Sequence, residues 1–248
     1  MLRIRNITIV YFVTLWFLYN TSIFSPLFFW IAIPAYIIIP VLASLFICSN
    51  LYLKAICRGP KDKNIIVVSF NIPEPDEKWN YLQGILSRQK VPAIFFVTGK
   101  VAEKTPELVY NLAKAGNIIG NHSYSASSKF GFYSARRLLT DLHKTEELIY
   151  ETTGNEVDYF RPPLGITNPA LRKATGVIQY NVIGWSKRIK ISHNPKKVSP
   201  LKGIKNGNIL RIDFTGDQIP DSFEKLIIEL KENFSIVSID ELMQLRTK

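Results

Sequence analysis

The chain has 248 residues, of which 47% are hydrophobic, and it carries a formal net charge of +11. This length allows one domain of ordinary size and an appendage. The basic residues are not interleaved with aromatic ones, so a nucleic-acid groove is not expected.

The N-terminal region is apolar and has no charged residue between Ile7 and Leu53. One continuous helix of that length would extend roughly 70 Å, whereas the hydrocarbon core of a bilayer is about 30 Å thick. The chain should therefore turn back, and the polar residues Asn20-Thr21-Ser22 suit a turn. We predict a two-helix transmembrane hairpin with spans at about 7–19 and 27–49, within an N-terminal membrane anchor of residues 1–57.

A signal peptide is the alternative for the first 20 residues, because Arg3 and Arg5 precede the apolar run Ile7–Tyr19. Against it, no small-x-small cleavage site follows, and a second apolar run begins soon after. Basic residues flank the whole apolar region on both sides and are missing from the turn. The positive-inside rule then places both ends of a hairpin, and the globular domain, in the cytoplasm.

The two cysteines lie at the end of this region. Cys48 falls inside the second predicted span, and Cys57 falls beside it. A thiol within a membrane and another at its edge do not suggest a disulfide framework, so no disulfide is expected.

The globular domain is expected over residues 65–248, after a polar, breaker-rich linker of residues 58–64. Seven apolar runs are typical of strands: Ile65–Phe70, Ala93–Val97, Ile118–Asn121, Tyr159–Arg161, Val182–Trp185, Ile209–Ile212 and Phe234–Ser238. Helical patterns separate them: Trp79–Arg88, a helix from Thr105-Pro106, one between Ser134 and Gly154, one from Asn168-Pro169, and Phe223–Leu230. This alternation favours an α/β fold with a parallel sheet, closed or nearly closed into a barrel.

Polar or aromatic side chains stand at or just beyond the carboxyl ends of five predicted strands. In a barrel of parallel strands, the chemistry is found at that end. The five residues are Asn71, His122, Arg161, Trp185 and Asp213. The sequence therefore predicts one shared mouth as the functional site.

Several segments together resemble the NodB-homology family of polysaccharide deacetylases. They are Ala93–Gly99, Gly120–Ser123, Tyr159–Pro169, Ile183–Ser186 and Val237–Leu242. The resemblance covers about Asn64 to Leu245, and the paired apolar segments ahead of it are similar to those of a membrane-anchored bacterial branch. It implies a deformed (β/α)7-type barrel and a multi-pass protein of a bacterial-type cell (inner) membrane. Such deacetylases usually act outside the cytoplasm, so the side that the domain faces stays open.

The resemblance also implies a divalent metal such as zinc, held by one aspartate and two histidines, and a second aspartate as general base. This chain has Asn71 at the base position and Ile72 at the position of the ligand aspartate. An amide does not take a proton from water, and an isoleucine has no lone pair for a cation. His122 matches the first histidine, whereas Ala126 occupies the position of the second. One imidazole does not hold such an ion, so no bound metal is expected.

The third motif of the family is retained as Arg161-Pro162-Pro163-Leu164. The resemblance implies that Arg161 holds the base carboxylate, and with Asn71 in that position the role has no charged partner. We favour a structural role for Arg161, Pro162 and Pro163 over a catalytic one, although the two prolines are also candidate substrate-binding residues. Leu164 replaces an aromatic residue, but its backbone N–H can still donate to an oxyanion.

The last two motifs of the family are partly replaced. Trp185 and Arg188 match a substrate-binding motif, in which Ile191 and Ser192 replace an aspartate and a threonine. Ile212 occupies the position of the general-acid histidine, and Asp213 is the titratable group left beside it. A carboxylate is a poor acid at neutral pH unless burial raises its pKa.

Eight Lys or Arg residues and no acidic one lie between Lys187 and Arg211. A solvated basic face is one interpretation, and contact with anionic lipid head groups or a phosphate-linked glycan is the other. The expected partners are membrane lipid, a carbohydrate or lipid-linked carbohydrate, and a partner enzyme.

Three hypotheses for function follow. In the first, a membrane-anchored, catalytically impaired pseudoenzyme binds or acts on cell-envelope carbohydrate, because catalytic groups that act as a unit leave little when several are lost. In the second, the chain is an active metal-dependent N-deacetylase of amino-sugar glycans, with a site rebuilt from Glu74, Asp76, His122 and Asp213. In the third, the barrel is an inherited scaffold of a structural membrane protein.

Overall fold

The computed structural model describes residues 4–21, 25–192, 201–216 and 218–247. The chain divides into two compact units, Met1–Ala43 and Ser44–Lys248. The helices are α1 (Ile4–Asn20), α2 (Pro26–Ser44), α3 (Lys78–Arg88), α4 (Gly99–Lys104), α5 (Pro106–Lys114), α6 (Ala135–Thr153), α7 (Pro169–Ile178), α8 (Ser222–Asn233) and α9 (Ile239–Thr247). The strands are β1 (Ala55–Ile56), β2 (Ile65–Ile72), β3 (Ala93–Val97), β4 (Ile118–Asn121), β5 (Tyr159–Phe160), β6 (Asn181–Ile183), β7 (Lys187–Ile191), β8 (Ile209–Phe214) and β9 (Ser235–Ile236).

The N-terminal unit consists of α1 and most of α2, which contact each other. The Tyr11 hydroxyl donates to the Ala32 carbonyl across 2.6 Å, and the Tyr11 and Tyr36 rings stack at 4.4 Å. Large apolar side chains such as Trp16 and Trp30 are exposed to 68% and 79%. Apolar surface of this extent marks a segment that needs a non-aqueous surrounding or a partner.

Among the described residues, one helix is both long and apolar enough to cross a bilayer, Leu27–Ser44, and the apolar stretch Thr8–Asn20 is shorter. The structure thus supports one apolar helix that could be a span or part of a signal sequence. It does not establish the two-span hairpin or a multi-pass protein. The turn residue Ser22 lies outside the described residues.

The second apolar helix ends at Ser44, five residues before the predicted end of the second span. Ile47 begins a short 3-10 helix and is buried in the core of the globular unit, with 4% exposure. Cys48 and Cys57 form a disulfide, so the expectation of no disulfide was wrong. Apolar residues that fold back onto a domain cannot be distinguished by composition from residues that continue a membrane helix.

The globular unit is built on one curled, open sheet in which all paired strands are parallel. The order of strands is β1-β6-β5-β4-β3-β2-β8-β7, with β9 paired to β2. The seven predicted strands are all present, and β1 and β7 are additional. Because the order ends at β1 and β7, the sheet is a curled half-barrel and not a closed barrel.

The basic stretch begins in the additional strand β7. In Lys187–Ile191, Ile189 and Ile191 are buried whereas Arg188 and Lys190 are exposed, which is the period-two pattern of a half-buried strand. The middle of the basic stretch, residues 193–200, lies outside the described residues.

The two faces of β2 pack into different parts of the core, and one of them carries residues of the site. Ile66, Val68, Phe70 and Ile72 belong to the larger core, which also contains buried residues of α3, α5 and α8. Val67 belongs to the smaller core with Ile94, Phe96 and Ile209. Successive side chains of a strand point to opposite faces, so Ser69 and Asn71 share the face of Val67. Burial on both faces is typical of parallel sheets.

The helix ends predicted at Ser134, Gly154 and Asn168 are confirmed, whereas the Thr105 side chain forms no capping hydrogen bond at the start of α5. The Ser134 and Asn168 side chains accept hydrogen bonds from the Arg137 and Leu171 amides at the starts of α6 and α7. Gly154 ends α6 in the left-handed conformation, with φ 70°.

Candidate functional site

A cavity of about 300 Å³ opens at the carboxyl end of the sheet, as the strand ends predict. The lining residues come from β2, β8 and the segments that follow β2, β4 and β5. They are Asn71, Pro73, Lys78, Trp79, His122, Ala126, Pro163, Leu164, Arg211, Ile212, Asp213 and Phe214. Of the predicted site residues, Arg161 and Trp185 lie behind this lining, where they contact Asn71 and Arg211, respectively.

Arg161 is the fully buried centre of the site and follows the short strand β5. Its Nε donates to the Ile183 carbonyl across 3.2 Å, and its Nη2 donates to the Gly184 carbonyl across 3.0 Å and to Ser69 Oγ across 2.9 Å. The guanidinium lies 4.0 Å from the Phe96 ring centroid. Strand ends β2 and β6 are thus joined through one side chain.

Asn71 is the fourth partner of Arg161. Its Oδ1 accepts a hydrogen bond from Nη1 across 2.9 Å. The arginine therefore keeps a partner at the base position, but that partner is neutral. Among the described residues, no carboxylate forms a salt bridge with Arg161.

The charge on Arg161 is therefore buried without a salt-bridge partner among the described residues. Burial lowers the pKa of Arg161 well below its usual value, the charge of Arg211 lowers it further, and Asp213 opposes both. All four hydrogen-bond partners are acceptors, and they favour the protonated form.

His122 follows β4 and is 4% exposed. Its Nδ1 lies 2.7 Å from the Arg161 carbonyl oxygen. Burial lowers the pKa of His122 from 6.5 to about 3, the hydrogen bond to Arg161 raises it, and the charges of Arg161 and Arg211 lower it. The ring is therefore neutral at physiological pH, with Nδ1 as the donor and Nε2 as an acceptor.

Asp213 is held by two arginines. Its Oδ1 accepts from Arg211 Nε across 2.9 Å, and its Oδ2 forms a short contact with Arg188 Nε. The Arg211 guanidinium lies 4.7 Å from the Trp185 ring centroid. Both oxygens of the Asp213 carboxylate are therefore engaged by guanidinium groups.

Leu164 stands at the rim of the cavity and is 62% exposed. Its φ of 57° places it in the left-handed region, between Pro163 and Gly165. Gly165 also has a positive φ, and a Cβ at this position would lie 2.7 Å from the Trp185 ring. The close approach of this loop to Trp185 therefore requires glycine.

The residues present do not fit a zinc-type ion. Ile72, at one expected ligand position, is fully buried within the larger core, and Ala126, at another, offers only a methyl group to the cavity. Across the described ranges, no cluster of three His, Cys, Asp or Glu side chains is arranged to hold a metal. Asp76, a possible substitute ligand, forms a salt bridge with Lys78 Nζ across 2.8 Å and accepts a hydrogen bond from the Lys78 backbone amide across 2.9 Å. Glu74 does not line the cavity.

Sequence reasoning missed several residues of the site. Ser69 and Phe96 hold Arg161, and Lys78, Trp79 and Arg211 line the cavity. Ser69 and Arg211 each lie two residues before a predicted site residue on the same strand, so the strand period could have indicated them. Lys78 and Trp79 begin α3, and their position depends on the loop after β2.

The sequence model of the polysaccharide deacetylase family matches residues 58–183, about half of the chain. Together with the curled α/β sheet and the strand-end site, this match shows that the chain belongs to the polysaccharide deacetylase family.

The chain is similar in sequence to deacetylases and similar in fold to a protein described as a pseudoenzyme. A peptidoglycan-N-acetylmuramic acid deacetylase of Bacillus subtilis is 26% identical over 174 residues, which are 64% of each protein. A family 4 carbohydrate esterase of Bacillus anthracis is 27% identical, with a TM-score of 0.66 over 77% of this chain and 87% of that one. A family 4 pseudoenzyme of Bacillus anthracis has the same fold, with 22% identity and a TM-score of 0.67 over 77% of this chain and 69% of that one. The chain spans 60% and 64% of the length of two Bacillus subtilis relatives, one of them this deacetylase.

Proposed function

We propose that the chain is a non-catalytic, membrane-associated member of the family that binds a saccharide of the cell envelope through the cavity at the carboxyl end of its sheet. The single observation that carries the proposal is the pairing of Asn71 with Arg161. The group at the base position is an amide whose oxygen accepts from a guanidinium, so it does not take a proton from water.

The positions around Asn71 support the same proposal. Ile72 and Ala126 supply no metal ligand, Ile212 supplies no acid, and Asp213 is paired with two arginines. The alternative hypothesis needs a metal site formed by Glu74, Asp76, His122 and Asp213. Its support is weak, since Asp76 and Asp213 are each engaged by cations and Glu74 is outside the cavity. The cavity itself is intact and open, which favours binding over a purely structural role.

The disulfide supports a location for the globular unit on the extracytoplasmic side. Disulfides form and persist in oxidising compartments and are rare in the cytoplasm. A single span at Leu27–Ser44 would place the two sides of that helix in different compartments, so that the residues before the span are cytoplasmic when the globular unit is outside. This topology places the globular unit outside the cytoplasm, where deacetylases of this family usually act, whereas a two-span hairpin would place it inside.

The experiment combines binding and catalysis on the full-length protein in detergent. The protein is incubated with purified peptidoglycan with and without zinc, and cosedimentation and released acetate are both measured. We expect cosedimentation and no acetate above the blank. Release of acetate at a rate that depends on enzyme concentration would overturn the proposal, and so would the absence of cosedimentation.

A pair of exposed apolar residues supplies the matched variants. Leu164→Glu places a negatively charged side chain at the rim of the cavity and should reduce cosedimentation at least fivefold. Val177→Glu makes the same kind of change on α7, where Val177 is 65% exposed, and should leave cosedimentation unchanged.

A further inference from the structure

The orientation of the Asn71 amide changes what the cavity offers to a ligand. Arginine has only donors, so the oxygen of the amide must face Arg161, and the nitrogen lies on the other branch. Asn71 lines the cavity, and its Nδ2 has no hydrogen-bond partner among the residues that the structure describes. Two N–H donors therefore stand where the family has a carboxylate.

Cationic groups surround this donor. Arg211 uses Nε for Asp213, its plane is held against Trp185, and its terminal nitrogens have no partner in the described part of the chain. Lys78 also lines the cavity, and the buried charge of Arg161 lies directly behind Asn71. Together with Arg188, these residues make four cationic groups around the cavity. There are two carboxylates, Asp76 and Asp213, and both are already paired with cations.

We propose that this cavity binds an oxyanion carried by the saccharide, a phosphate or a carboxylate, with Asn71 Nδ2, the free end of the Arg211 guanidinium and the Lys78 ammonium as its donors. The proposal rests on the saccharide-binding function proposed above. A guanidinium presents parallel N–H groups that match the geometry of such oxyanions, and the amide nitrogen adds further N–H donors beside it.

His122 adds specificity for the rest of the ligand. Its Nδ1 faces a carbonyl oxygen and must donate to it, so Nε2 is left as an acceptor. An acceptor suits a hydroxyl of the sugar and repels a bare anion. The cavity therefore matches an anionic sugar better than a free inorganic ion.

Tryptophan fluorescence of the full-length protein tests the proposal. The four tryptophans are Trp16, Trp30, Trp79 and Trp185, and Trp16→Phe with Trp30→Phe leaves one that lines the cavity and one stacked on Arg211. The probes are N-acetylglucosamine 1-phosphate, glucuronic acid and uncharged N-acetylglucosamine. We expect at least one anionic sugar to bind tenfold more tightly than the neutral sugar, and its affinity to fall as salt rises. The stronger of the two anionic probes identifies the phosphate or the carboxylate.

Two variants and a control test the assigned donors. Arg211→Gln should lower the affinity for the preferred anionic sugar at least tenfold, and Asn71→Asp should abolish the preference because a carboxylate replaces a donor. Lys173→Gln removes one exposed positive charge on α7 and should change neither affinity. Circular dichroism of each variant verifies that it is folded.

The outcomes separate this inference from the proposed function. Equal binding of neutral and anionic sugars would overturn the oxyanion site and leave saccharide binding standing. An anion preference that survives both Arg211→Gln and Asn71→Asp would also overturn it. Binding of none of the three sugars would overturn both proposals, whereas anion preference together with acetate release would overturn only the non-catalytic part.

Discussion

Arg161 donates a hydrogen bond to Asn71 across 2.9 Å, and no described carboxylate neutralises the arginine. A buried charge is costly unless paired, and the fold stabilises this one through carbonyl, hydroxyl and amide oxygens and an aromatic ring. The two residues thus form a neutral–cation pair at the position where the family motif has a carboxylate.

We expect Asn71→Asp to stabilise the globular unit by about 1–2 kcal/mol at pH 7, because a carboxylate forms a charge-assisted bond with Arg161. The arginine would hold the pKa of the new carboxyl below its unfolded value of about 3.9. The gain should therefore be present above about pH 4 and be lost as the pH falls through the lower, folded pKa. Denaturant unfolding at a series of pH values measures it.

Asn121→Asp is the matched control for this change. Asn121 is also fully buried, but its Nδ2 donates to the Leu142 carbonyl and the Tyr180 hydroxyl, both across 2.9 Å. A carboxylate there would face the Leu142 carbonyl without a nearby cation, and we expect a loss of about 2–4 kcal/mol. Equal effects of the two variants on stability would contradict the special role of Arg161.

A second prediction concerns Asp141 on α6, which accepts a hydrogen bond from the Tyr124 amide across 2.8 Å. Burial raises the pKa of Asp141, and the hydrogen bond from Tyr124 and the charge of Arg137 oppose the shift. The folded state then holds the proton more tightly than the unfolded state, so stability decreases as the pH rises from about 4 through the raised pKa.

Asp141→Asn should remove this dependence and stabilise the protein at pH 7, since an amide oxygen can still accept from Tyr124. Glu147→Gln removes an exposed carboxylate from the same helix and should not alter the pH profile. Thermal unfolding between pH 4 and pH 8 compares the variants. A wild-type profile that is flat across this range would contradict the prediction.

The sequence was sufficient for seven of the nine strands and for several of the residues that line the cavity. Strand-end positions and motif spacing placed Asn71, His122 and Asp213 around one cavity because both are local properties of the chain. Strand β7 was missed because its basic composition obscured an alternation in which Ile189 and Ile191 are buried.

The disulfide and the cavity walls depend on contacts between distant segments. Cys48 Sγ lies 3.2 Å from the Trp185 carbonyl, and a Cβ on Gly184 would lie 2.5 Å from Cys57 Sγ. An apolar run of residues 27–49 does not indicate where a helix ends and where folding onto another segment begins. Lys78 and Trp79 reach the cavity through a loop whose course follows from packing.

A third prediction tests the disulfide and the proposed side of the membrane together. Protein extracted from cells under alkylating, non-reducing conditions should take up no maleimide, and reduction should expose two thiols. Cys48→Ser with Cys57→Ser should lower the free energy of unfolding by about 2–3 kcal/mol, since a cross-link closing a short loop has that effect. Free thiols in freshly extracted protein would contradict the extracytoplasmic location.

A fourth prediction is that metal binding can be restored at the two vacant ligand positions. Ile72→Asp with Ala126→His would add a carboxylate and a second imidazole to His122 and give three ligands. Ala126 has a φ of 46°, a conformation in which histidine is more common than most residues. We expect stoichiometric zinc binding by calorimetry, and a rise in melting temperature with zinc, in the double variant only.

The single variants are the controls. Ile72→Asp alone places a carboxylate in a fully buried apolar position and should destabilise the unit by about 3 kcal/mol, whereas Ala126→His alone should be nearly neutral. Stoichiometric zinc binding by the unaltered chain would contradict this account of the site. Even with zinc bound, the double variant should release no acetate, because the Asn71 side chain is not a base. Acetate release would also need the substitutions Asn71→Asp and Ile212→His.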